Sequence, residues 1–423
     1  MKQVYLLFFL SFLISVRIYS QPNCSASSTG FIPINDLGTN ISPLTGQMGG
    51  LYPGGSNYLP GDHKNAGLEL ASQIECLDIN GNPDPYNGKV VWLSIGMSNC
   101  TQETQRFIPL ANAFPTKNPK LLLVDGAQGG QTAQVISAPW HSNYSTFWNT
   151  VNNRLTNQGV SAQQVQIIWL KEANQAGNTP PTQHYDSLLV QLKRITHELK
   201  KRFPNVKLCY VASRISARYA TTTLNHEPYA YLTGWAVKKM IEDQIMGDPQ
   251  LRFSGPDAKS PWLSWGIYMW SDGNTPQISN PDIFYNCPTD FMNDGIHPST
   301  AGAQKVGNLL LKFFSTDSTS IPWFLGNPCS VSSSNNLDDS ENNFTIHPNP
   351  TNGFINVSSN NQTKLNFECK IINLHGQVVF YKKITSITKH TPLDISHLQA
   401  GVYKIIIVQE KKIQMLQNLM VNQ

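Results

Sequence analysis

The chain has 423 residues, more than one average domain, so two or three structural units are expected. Its hydrophobic fraction of 40% is ample for packed cores, and its formal net charge is only +4. Because no block of lysine or arginine residues stands out, we predict neither a nucleic-acid partner nor attachment to an anionic membrane surface.

The first twenty residues have the composition of a secretory signal peptide, residues 1–20. Lys2 precedes an apolar run at 4–16, and a short polar segment follows it. The run is too short to cross a bilayer comfortably, so we expect cleavage rather than anchoring. No later stretch is apolar enough for a transmembrane helix, and we predict none after signal cleavage.

The cysteine pattern points to disulfides rather than to a metal site. An exported chain with seven cysteines can form disulfides, although the odd count leaves at least one thiol free or paired elsewhere. Cys209 lies in an apolar run and is predicted to be a buried thiol. No Cys-x-x-Cys motif or His/Cys cluster has zinc-ligand spacing, and no cofactor is predicted.

Residues 65–326 alternate short apolar runs with helical segments. The predicted strands, apolar on both faces as expected of parallel strands between helices, are 89–95, 120–124, 165–170, 206–211 and 262–270. The predicted helices are 102–113, 145–157, 183–203, 229–245 and 300–314. This pattern predicts a three-layer, doubly wound α/β domain with a parallel sheet, whose ligands bind at the carboxyl ends of the strands. Residues 21–64, rich in glycine, proline and asparagine, should wrap over it as loops.

The end of the chain has a different pattern. Residues 327–343 are small and polar, which is typical of a linker. Residues 344–423 contain strand-like pieces separated by turns, at 344–347, 354–357, 367–374, 377–381 and 402–408. This spacing predicts a small antiparallel β-sandwich, and the segment holds no convergent set of catalytic residue types.

Ser98 stands at a tight turn between a predicted buried strand and a predicted helix. Gly96 permits the turn, and a helix beginning near Thr101 would point its free N–H groups back toward the serine oxygen. A hydroxyl in this position fits a nucleophile, provided that a base removes its proton. The alternative is that Ser98 or Thr101 merely caps the helix.

A second loop, just before the last helix of this domain, carries Asp294 and His297. Gly295 lets the loop fold sharply, and Pro298 opens the helix. Such a loop can point an imidazole at a distant serine while the carboxylate fixes its tautomer, as in an acyl-transfer triad. The alternative is a helix-capping loop with an ordinary surface histidine.

Two more strand ends carry candidate donors for a developing oxyanion. A glycine-rich loop after the second strand contains Gly130, and the loop after the third strand contains Asn174. Each is weak alone. Together, successive strand ends carry Ser, Gly, Asn and finally Asp with His, in that order.

This order, with its ending Asp294-Gly295-Ile296-His297, resembles the SGNH or GDSL-like hydrolase superfamily over residues 65–326. The resemblance implies that Ser98 is the nucleophile, His297 the base and Asp294 its orienting acid. It also implies an oxyanion hole made by the N–H groups of Ser98 and Gly130 with the Asn174 amide. The activity implied is that of an exported serine esterase.

Two blocks depart from the usual pattern of that superfamily. The first reads Gly96-Met97-Ser98-Asn99, closer to the Gly-x-Ser-Asn form of carbohydrate acetylesterase branches, which implies acetyl or similar esters of carbohydrate as substrate. The third has Glu172 where glycine is usual, which places an extra charge near the site. Two alternatives therefore stay open: a catalytically degenerate surface glycan-binding protein on the same fold, and a purely structural surface protein.

Four residues are candidate substrate contacts: Glu172, Arg214, Tyr268 and Trp270. Arg214 follows the fourth strand, where a guanidinium could hold a carboxylate or sugar hydroxyls, or could pair with Glu172 or Glu227. Tyr268 and Trp270 lie in an aromatic-rich stretch that could form a sugar-stacking wall, although such residues are more often core.

Residues 344–423 resemble the type IX secretion C-terminal sorting domain of Bacteroidetes-type bacteria, on the stretches 344–353, 374–378 and 393–403. The resemblance implies recognition by the type IX secretion machinery at the outer membrane of a Gram-negative cell, followed by release or surface attachment. The ending from Lys411 looks less regular than usual. A generic β-sandwich binding module is the alternative.

Overall fold

The computed structural model describes residues 21–326, 329, 344–359, 367–373, 378–384, 391–409 and 412–422. The chain divides into two compact units, residues 1–330 and 331–423. The predicted signal peptide, almost all of the predicted linker and the predicted turn at 374–377 lie outside the described residues. Within the described ranges, no helix has the length and apolar character needed to cross a membrane.

The first unit combines one sheet with helices, in the chain order that the sequence predicts. Its elements are α1 (Ile34–Leu37), α2 (Gly61–Ser72), β1 (Val90–Gly96), α3 (Ser98–Ala113), β2 (Leu121–Asp125), α4 (Ala133–Ile136), α5 (Tyr144–Asn157), β3 (Val165–Lys171), α6 (Pro181–Arg202), β4 (Leu208–Val211), α7 (Tyr229–Ile245), β5 (Trp262–Trp265), α8 (Thr300–Thr316) and α9 (Ile321–Phe324).

All five strands of this unit are parallel, in the order β2-β1-β3-β4-β5. Side chains of β1 alternate between two cores, with Val91 and Leu93 on one face and Val90 and Trp92 on the other. Helices α5, α6 and α7 contribute to the first core, and α3 and α8 to the second. Both faces are therefore covered, which confirms the predicted three-layer, doubly wound α/β fold.

The strand order reverses at β1, which lies between β2 and β3. In such sheets, ligands bind in the crevice at the carboxyl ends of the strands beside this reversal. β1 ends at Gly96, two residues before Ser98. A Cβ atom at Gly96 would lie 2.3 Å from the Lys171 carbonyl oxygen, so only glycine lets β1 and β3 approach this closely.

β5 is shorter than predicted, because it ends at Trp265 instead of continuing to residue 270. Gly266 follows, and a Cβ atom there would lie 2.3 Å from the ring of Trp169. Beyond it the chain is buried under the N-terminal segment, where the backbone N–H of Ile34 donates to the Tyr268 hydroxyl over 3.2 Å. The stretch is apolar because it is core, although it leaves the sheet.

Two disulfides connect distant parts of the first unit, Cys24–Cys287 and Cys76–Cys329. Among the described residues, three cysteines are free and buried: Cys100, Cys209 and Cys369. The prediction of a buried thiol at Cys209 is thereby confirmed.

The second unit consists of strands alone in its described part. They are β6 (Phe344–His347), β7 (Phe354–Ser359), β8 (Phe367–Ile372), β9 (Val378–Ile384), β10 (Thr391–Asp394), β11 (Gly401–Gln409) and β12 (Lys412–Val421). They form two antiparallel sheets, β10-β7-β6 and β12-β11-β8-β9. One core joins the two sheets, with Ile355 and Leu393 from the first and Ile371 and Ile405 from the second.

This arrangement confirms the predicted small antiparallel β-sandwich. The sequence after Lys411, which looks less regular than usual for such a domain, forms β12, which pairs along β11 from Lys412 to Val421. Polar residues interrupt the apolar pattern of residues 412–421, so the sequence alone did not predict a strand there.

Candidate active site

Ser98 is the first residue of α3, immediately after Met97 at the N-cap position. The first backbone hydrogen bond of the helix runs from the Thr101 N–H to the Met97 carbonyl over 3.0 Å. No side chain caps this end, and the Thr101 hydroxyl has no partner among the described residues. The alternative that Ser98 or Thr101 serves as a helix cap is therefore wrong, and the Ser98 hydroxyl is available for another contact.

That contact is with His297. The Ser98 hydroxyl oxygen lies 2.7 Å from His297 Nε2, and His297 Nδ1 lies 2.5 Å from Asp294 Oδ2. Because an ionised carboxylate can only accept, Nδ1 carries the imidazole proton and Nε2 accepts from the serine hydroxyl. Hydroxyl, imidazole and carboxylate thus form one hydrogen-bonded line with the geometry of a Ser-His-Asp triad.

The backbone of its own loop holds the Asp294 carboxylate. Asp294 Oδ1 accepts from the N–H groups of Ile296 and His297, each over 3.0 Å. Burial raises the pKa of the Asp294 carboxyl, but these bonds and the bond from the His297 ring outweigh burial and bring the pKa to about 2. The carboxylate is therefore ionised in neutral and mildly acidic solution.

Gly295 fixes the path of this loop. It has φ +67°, and a Cβ atom there would lie 1.8 Å from the Tyr219 carbonyl oxygen. The cap of α8 is Ser299, whose side chain accepts from the N–H groups of Ala301 and Gly302. The loop thus does cap the helix, through Ser299 and not Asp294, but His297 is not an ordinary surface histidine because its ring nitrogens contact Ser98 and Asp294.

The glycine-rich loop after β2 passes beside Ser98. A Cβ atom at Gly129 would lie 3.8 Å from Ser98 Cβ, whereas the corresponding position at Gly130, with φ +75°, has no atom within 4 Å. Gly129, which the sequence did not single out, thus lies beside Ser98, where a side chain would meet it. Gly130 adopts the left-handed conformation that lets the loop turn toward α4.

Asn174 is held at the carboxyl end of β3 by two neighbours. Its Oδ1 accepts from the Gln134 N–H over 3.0 Å, and its Nδ2 donates to Gln191 Oε1 over 2.5 Å. An amide nitrogen carries two N–H groups, so one remains for another acceptor. No sequence signal marks Gln191, because it lies on α6, remote from any strand end.

Glu172 does not present a charge to a substrate. It is buried, its Oε2 accepts from the Ala173 N–H over 3.2 Å, and its Oε1 has no partner among the described residues. Burial raises the pKa of this carboxyl well above its usual value and so favours the neutral form. The prediction of a substrate contact was wrong, because the side chain turns into the packed end of the sheet.

Arg214 is also buried, which corrects its prediction as a substrate contact. Nη1 donates to Asn99 Oδ1 over 2.9 Å and Nη2 to the Ile296 carbonyl over 3.4 Å. No described carboxylate lies at ion-pair distance, so the predicted pairing with Glu172 or Glu227 is absent as well. Burial lowers the pKa of Arg214 to about 10, which leaves the guanidinium charged at neutral pH.

Tyr268 and Trp270 belong to the core and do not form a sugar-stacking wall. Both are buried, and Trp270 Nε1 donates to Glu227 Oε1 over 2.8 Å. The N-terminal segment covers this region, since Ile34 bonds the Tyr268 hydroxyl. The sequence analysis gave core as the commoner role of such residues, and their burial agrees with it. It could not exclude the wall, because the covering segment lies more than two hundred residues away.

An exposed aromatic residue occurs elsewhere, at Trp140. Its side chain is 76% exposed, and the Arg194 guanidinium carbon lies 5.4 Å from its ring centroid. Arg194 and Gln191 are three residues apart on α6 and therefore neighbours on its surface. Trp140 therefore lies beside α6, the helix that also carries Gln191, the hydrogen-bond partner of Asn174. Nothing in the sequence distinguished Trp140 from the other tryptophans.

A buried ion pair ties the serine-bearing helix to the sheet. Lys171 Nζ at the end of β3 lies 2.7 Å from both carboxylate oxygens of Glu103 on α3, and both side chains are buried. Burial lowers the pKa of Lys171 and raises that of Glu103, whereas their mutual attraction opposes both effects. The pair fixes α3 one turn beyond Ser98.

As for metals, the described ranges contain no cluster of three or more His, Cys, Asp or Glu side chains arranged to hold an ion. The groups in contact at this site are one hydroxyl, one imidazole and one carboxylate, a set that suits proton transfer.

Comparison with protein families identifies the end of the chain. The model of the secretion system C-terminal sorting domain matches residues 345–422. The chain is therefore exported by the type IX secretion system to the cell surface or the extracellular space, as predicted. No curated protein sequence matches the chain.

Several solved structures are distantly similar. A Streptococcus pneumonia protein described as a platelet activating factor is 14% identical, over 61% of this chain and 94% of its own, with a TM-score of 0.30. The periplasmic domain of a lipopolysaccharide acetyltransferase from Salmonella ser. Paratyphi A is 13% identical, over 59% of this chain and 94% of its own, with a TM-score of 0.29. A gut microbial diltiazem-metabolizing enzyme is 11% identical, over 73% of each chain, with a TM-score of 0.30. Similarity at this level assigns no substrate.

Proposed function

We propose that the protein is an exported serine esterase that removes acetyl or similar acyl groups from carbohydrate. The observation that carries the proposal is the hydrogen-bonded line from Ser98 Oγ to His297 Nε2, 2.7 Å, and from His297 Nδ1 to Asp294 Oδ2, 2.5 Å. The line lies at the strand-order reversal of the sheet, where doubly wound folds bind ligands.

In the first half of the reaction, Ser98 Oγ attacks the carbonyl carbon of the ester. Its proton passes to His297 Nε2, and the Asp294 carboxylate stabilises the imidazolium that forms. The C–O bond to the alcohol then breaks, and the alcohol oxygen takes the proton from His297. An acyl-serine and a free sugar hydroxyl remain.

In the second half, a water molecule replaces the alcohol. His297 Nε2 accepts one proton of the water as its oxygen attacks the acyl carbon. The C–O bond to Ser98 breaks, and His297 returns the proton to the serine oxygen. The products are a carboxylic acid and the original enzyme.

Three groups are proposed to hold the oxyanion formed in each half. They are the N–H of Ser98 at the start of α3, a backbone N–H of the 129–130 segment, and the remaining Nδ2–H of Asn174. Hydrogen bonds from Gln134 and to Gln191 hold the Asn174 amide before any substrate arrives. Removing one such donor from a site of this kind costs roughly 100- to 1,000-fold in rate.

A carbohydrate ester is supported by two features. The block Gly96-Met97-Ser98-Asn99 resembles the carbohydrate acetylesterase form, and Trp140 offers an exposed aromatic surface beside α6, the helix that carries the Asn174 partner Gln191. The buried Tyr268 and Trp270 lend it no support.

The test compares hydrolysis of p-nitrophenyl acetate and of acetylated xylan by the wild type and Ser98→Ala. Ser98→Ala should lose activity by at least about 1,000-fold, because no other described hydroxyl contacts His297 Nε2. Ser145→Ala, on the exposed surface of α5, is the matched control and should retain wild-type rates. Equal rates for the wild type and Ser98→Ala would refute the esterase.

A glycan-binding protein without turnover is the second candidate. It is motivated by the two departures from the usual superfamily pattern, Met97 beside Ser98 and Glu172 near Asn174. In that case, the wild type and Ser98→Ala would be retained equally on a glycan affinity gel, and neither would release acetate.

A further inference from the structure

Arg214 lies between the two segments that carry the reacting groups. Its acceptor Asn99 directly follows Ser98, and its acceptor Ile296 directly precedes His297. Asn99 Nδ2 also donates to the Ile296 carbonyl over 3.4 Å, which closes a triangle of hydrogen bonds. The serine turn and the histidine loop are therefore both bonded to one guanidinium.

We propose that Arg214 is a positioning residue that fixes the Ser98 turn and the His297 loop relative to each other. The inference rests on the proposed esterase and identifies the device that aligns its nucleophile with its base. Arg214 contacts neither the Ser98 hydroxyl nor the His297 ring, so it acts through Asn99 and Ile296.

The chemistry of this contact suits arginine alone. A guanidinium is planar and rigid and offers several N–H donors, so one side chain can hold two acceptors at a fixed separation. A lysine ammonium keeps the charge but is a point donor on a flexible stem, and it cannot reproduce the two-pronged geometry. Replacing Arg214 with lysine therefore removes the aligned hydrogen bonds while it keeps the positive charge.

Burial of Arg214 also calls for a reason. The side chain is buried, its Nε has no partner among the described residues, and its two hydrogen-bond acceptors are an amide and a backbone carbonyl rather than carboxylates. A buried cation without a carboxylate at ion-pair distance is costly to keep. Four carboxylates attract the guanidinium at longer range, those of Glu103, Asp294, Glu227 and Glu172. Its two hydrogen bonds hold the serine turn and the histidine loop, which alignment of Ser98 with His297 requires.

The experiment measures kcat and KM for p-nitrophenyl acetate with Arg214→Lys, Asn99→Ala and the double variant. Each single variant should lose about 10- to 100-fold in kcat with KM nearly unchanged, because the acyl group does not touch Arg214. The double variant should lose little more than the worse single variant, since both changes break the same link. Labelling of Ser98 by a fluorophosphonate should slow in parallel.

Arg252→Lys is the matched control, because Arg252 is exposed and pairs with Asp257 over 3.3 Å. It should leave kcat unchanged. Wild-type kcat in Arg214→Lys, an effect on KM alone, or additive losses in the double variant would each overturn the positioning role. If Arg214→Lys does not fold, Asn99→Ala decides, and a wild-type kcat there refutes the proposal.

If the proposed esterase function is wrong, the assays give a different result. In that case Ser98→Ala matches the wild type in every assay. Failure of the Arg214 proposal leaves Ser98→Ala inactive while Arg214→Lys and Asn99→Ala turn over normally. The pH profile gives a further distinction: with the cation retained in Arg214→Lys, its acid limb should coincide with that of the wild type, and only the plateau should fall.

Discussion

Ser98 and His297 are 199 positions apart in sequence, yet the hydroxyl oxygen of one lies 2.7 Å from Nε2 of the other. Ser98 begins α3, and His297 lies three residues before α8. The two helices pack closely, since a Cβ atom at Gly307 of α8 would lie 3.0 Å from Arg106 Cβ on α3. Close packing of these helices brings both helix starts to the same edge of the sheet.

Asp294→Asn should reduce kcat for p-nitrophenyl acetate by roughly 1,000- to 10,000-fold, because an amide no longer fixes the Nδ1–H tautomer of His297. KM should change little, since Asp294 lies behind the imidazole. Circular dichroism and the unfolding midpoint at pH 7 check that the variant is folded. A loss below tenfold would show that the carboxylate does not orient the base.

The same carboxylate should make stability depend on pH. Its pKa is 3.8 in its ordinary state and about 2 in the folded protein. A lowered folded pKa gives a stabilisation that is fully present above pH 3.8 and is lost as the pH falls toward 2. The free energy of unfolding of the wild type, measured with urea, should therefore fall as the pH is lowered over this range. This loss of stability should be smaller for Asp294→Asn. If the free energy of unfolding depended on pH equally in both proteins, the lowered pKa of Asp294 would be contradicted.

The parts of the site that sequence could predict are those encoded locally. The Ser98 turn has its glycine and flanking strand within a few residues, and Asp294 and His297 share one short loop. The apolar runs of β1 to β4 likewise indicate a doubly buried sheet without knowledge of their neighbours. Because parallel strands have their carboxyl ends at the same edge of the sheet, candidates that follow different strands could be expected to lie at one edge.

The errors concern residues whose surroundings come from distant segments. Tyr268 and Trp270 were candidates for an exposed wall, but the N-terminal segment covers this region, where the Ile34 N–H donates to the Tyr268 hydroxyl. Arg214 could be assigned to a substrate because its acceptors at Asn99 and Ile296 are 115 and 82 positions away. Charge and residue type do not reveal burial, which depends on long-range packing.

Lys171→Met should destabilise the first unit by about 3–5 kcal/mol, because it leaves the Glu103 carboxylate buried without a cation at ion-pair distance. The double variant Lys171→Met/Glu103→Leu should recover much of this loss. Lys312→Met is the control: it breaks an exposed pair with Asp282 at 2.8 Å, which solvent screens, and should leave the free energy of unfolding almost unchanged. Urea unfolding measures all three, and equal effects of the two single variants would contradict the prediction.

Trp140→Ala should lower kcat/KM for acetylated xylan by about tenfold, equivalent to ~1.4 kcal/mol, while leaving p-nitrophenyl acetate hydrolysis unchanged. The reason is that we expect a polymeric substrate, unlike the small ester, to be long enough to reach the exposed indole beside α6. Tyr86→Ala is the matched control, because Tyr86 is 73% exposed but precedes β1, at the opposite edge of the sheet from Ser98. Both variants are assayed on both substrates. An equal loss for the two esters would indicate a disturbed site, and no loss on xylan would remove Trp140 from substrate binding.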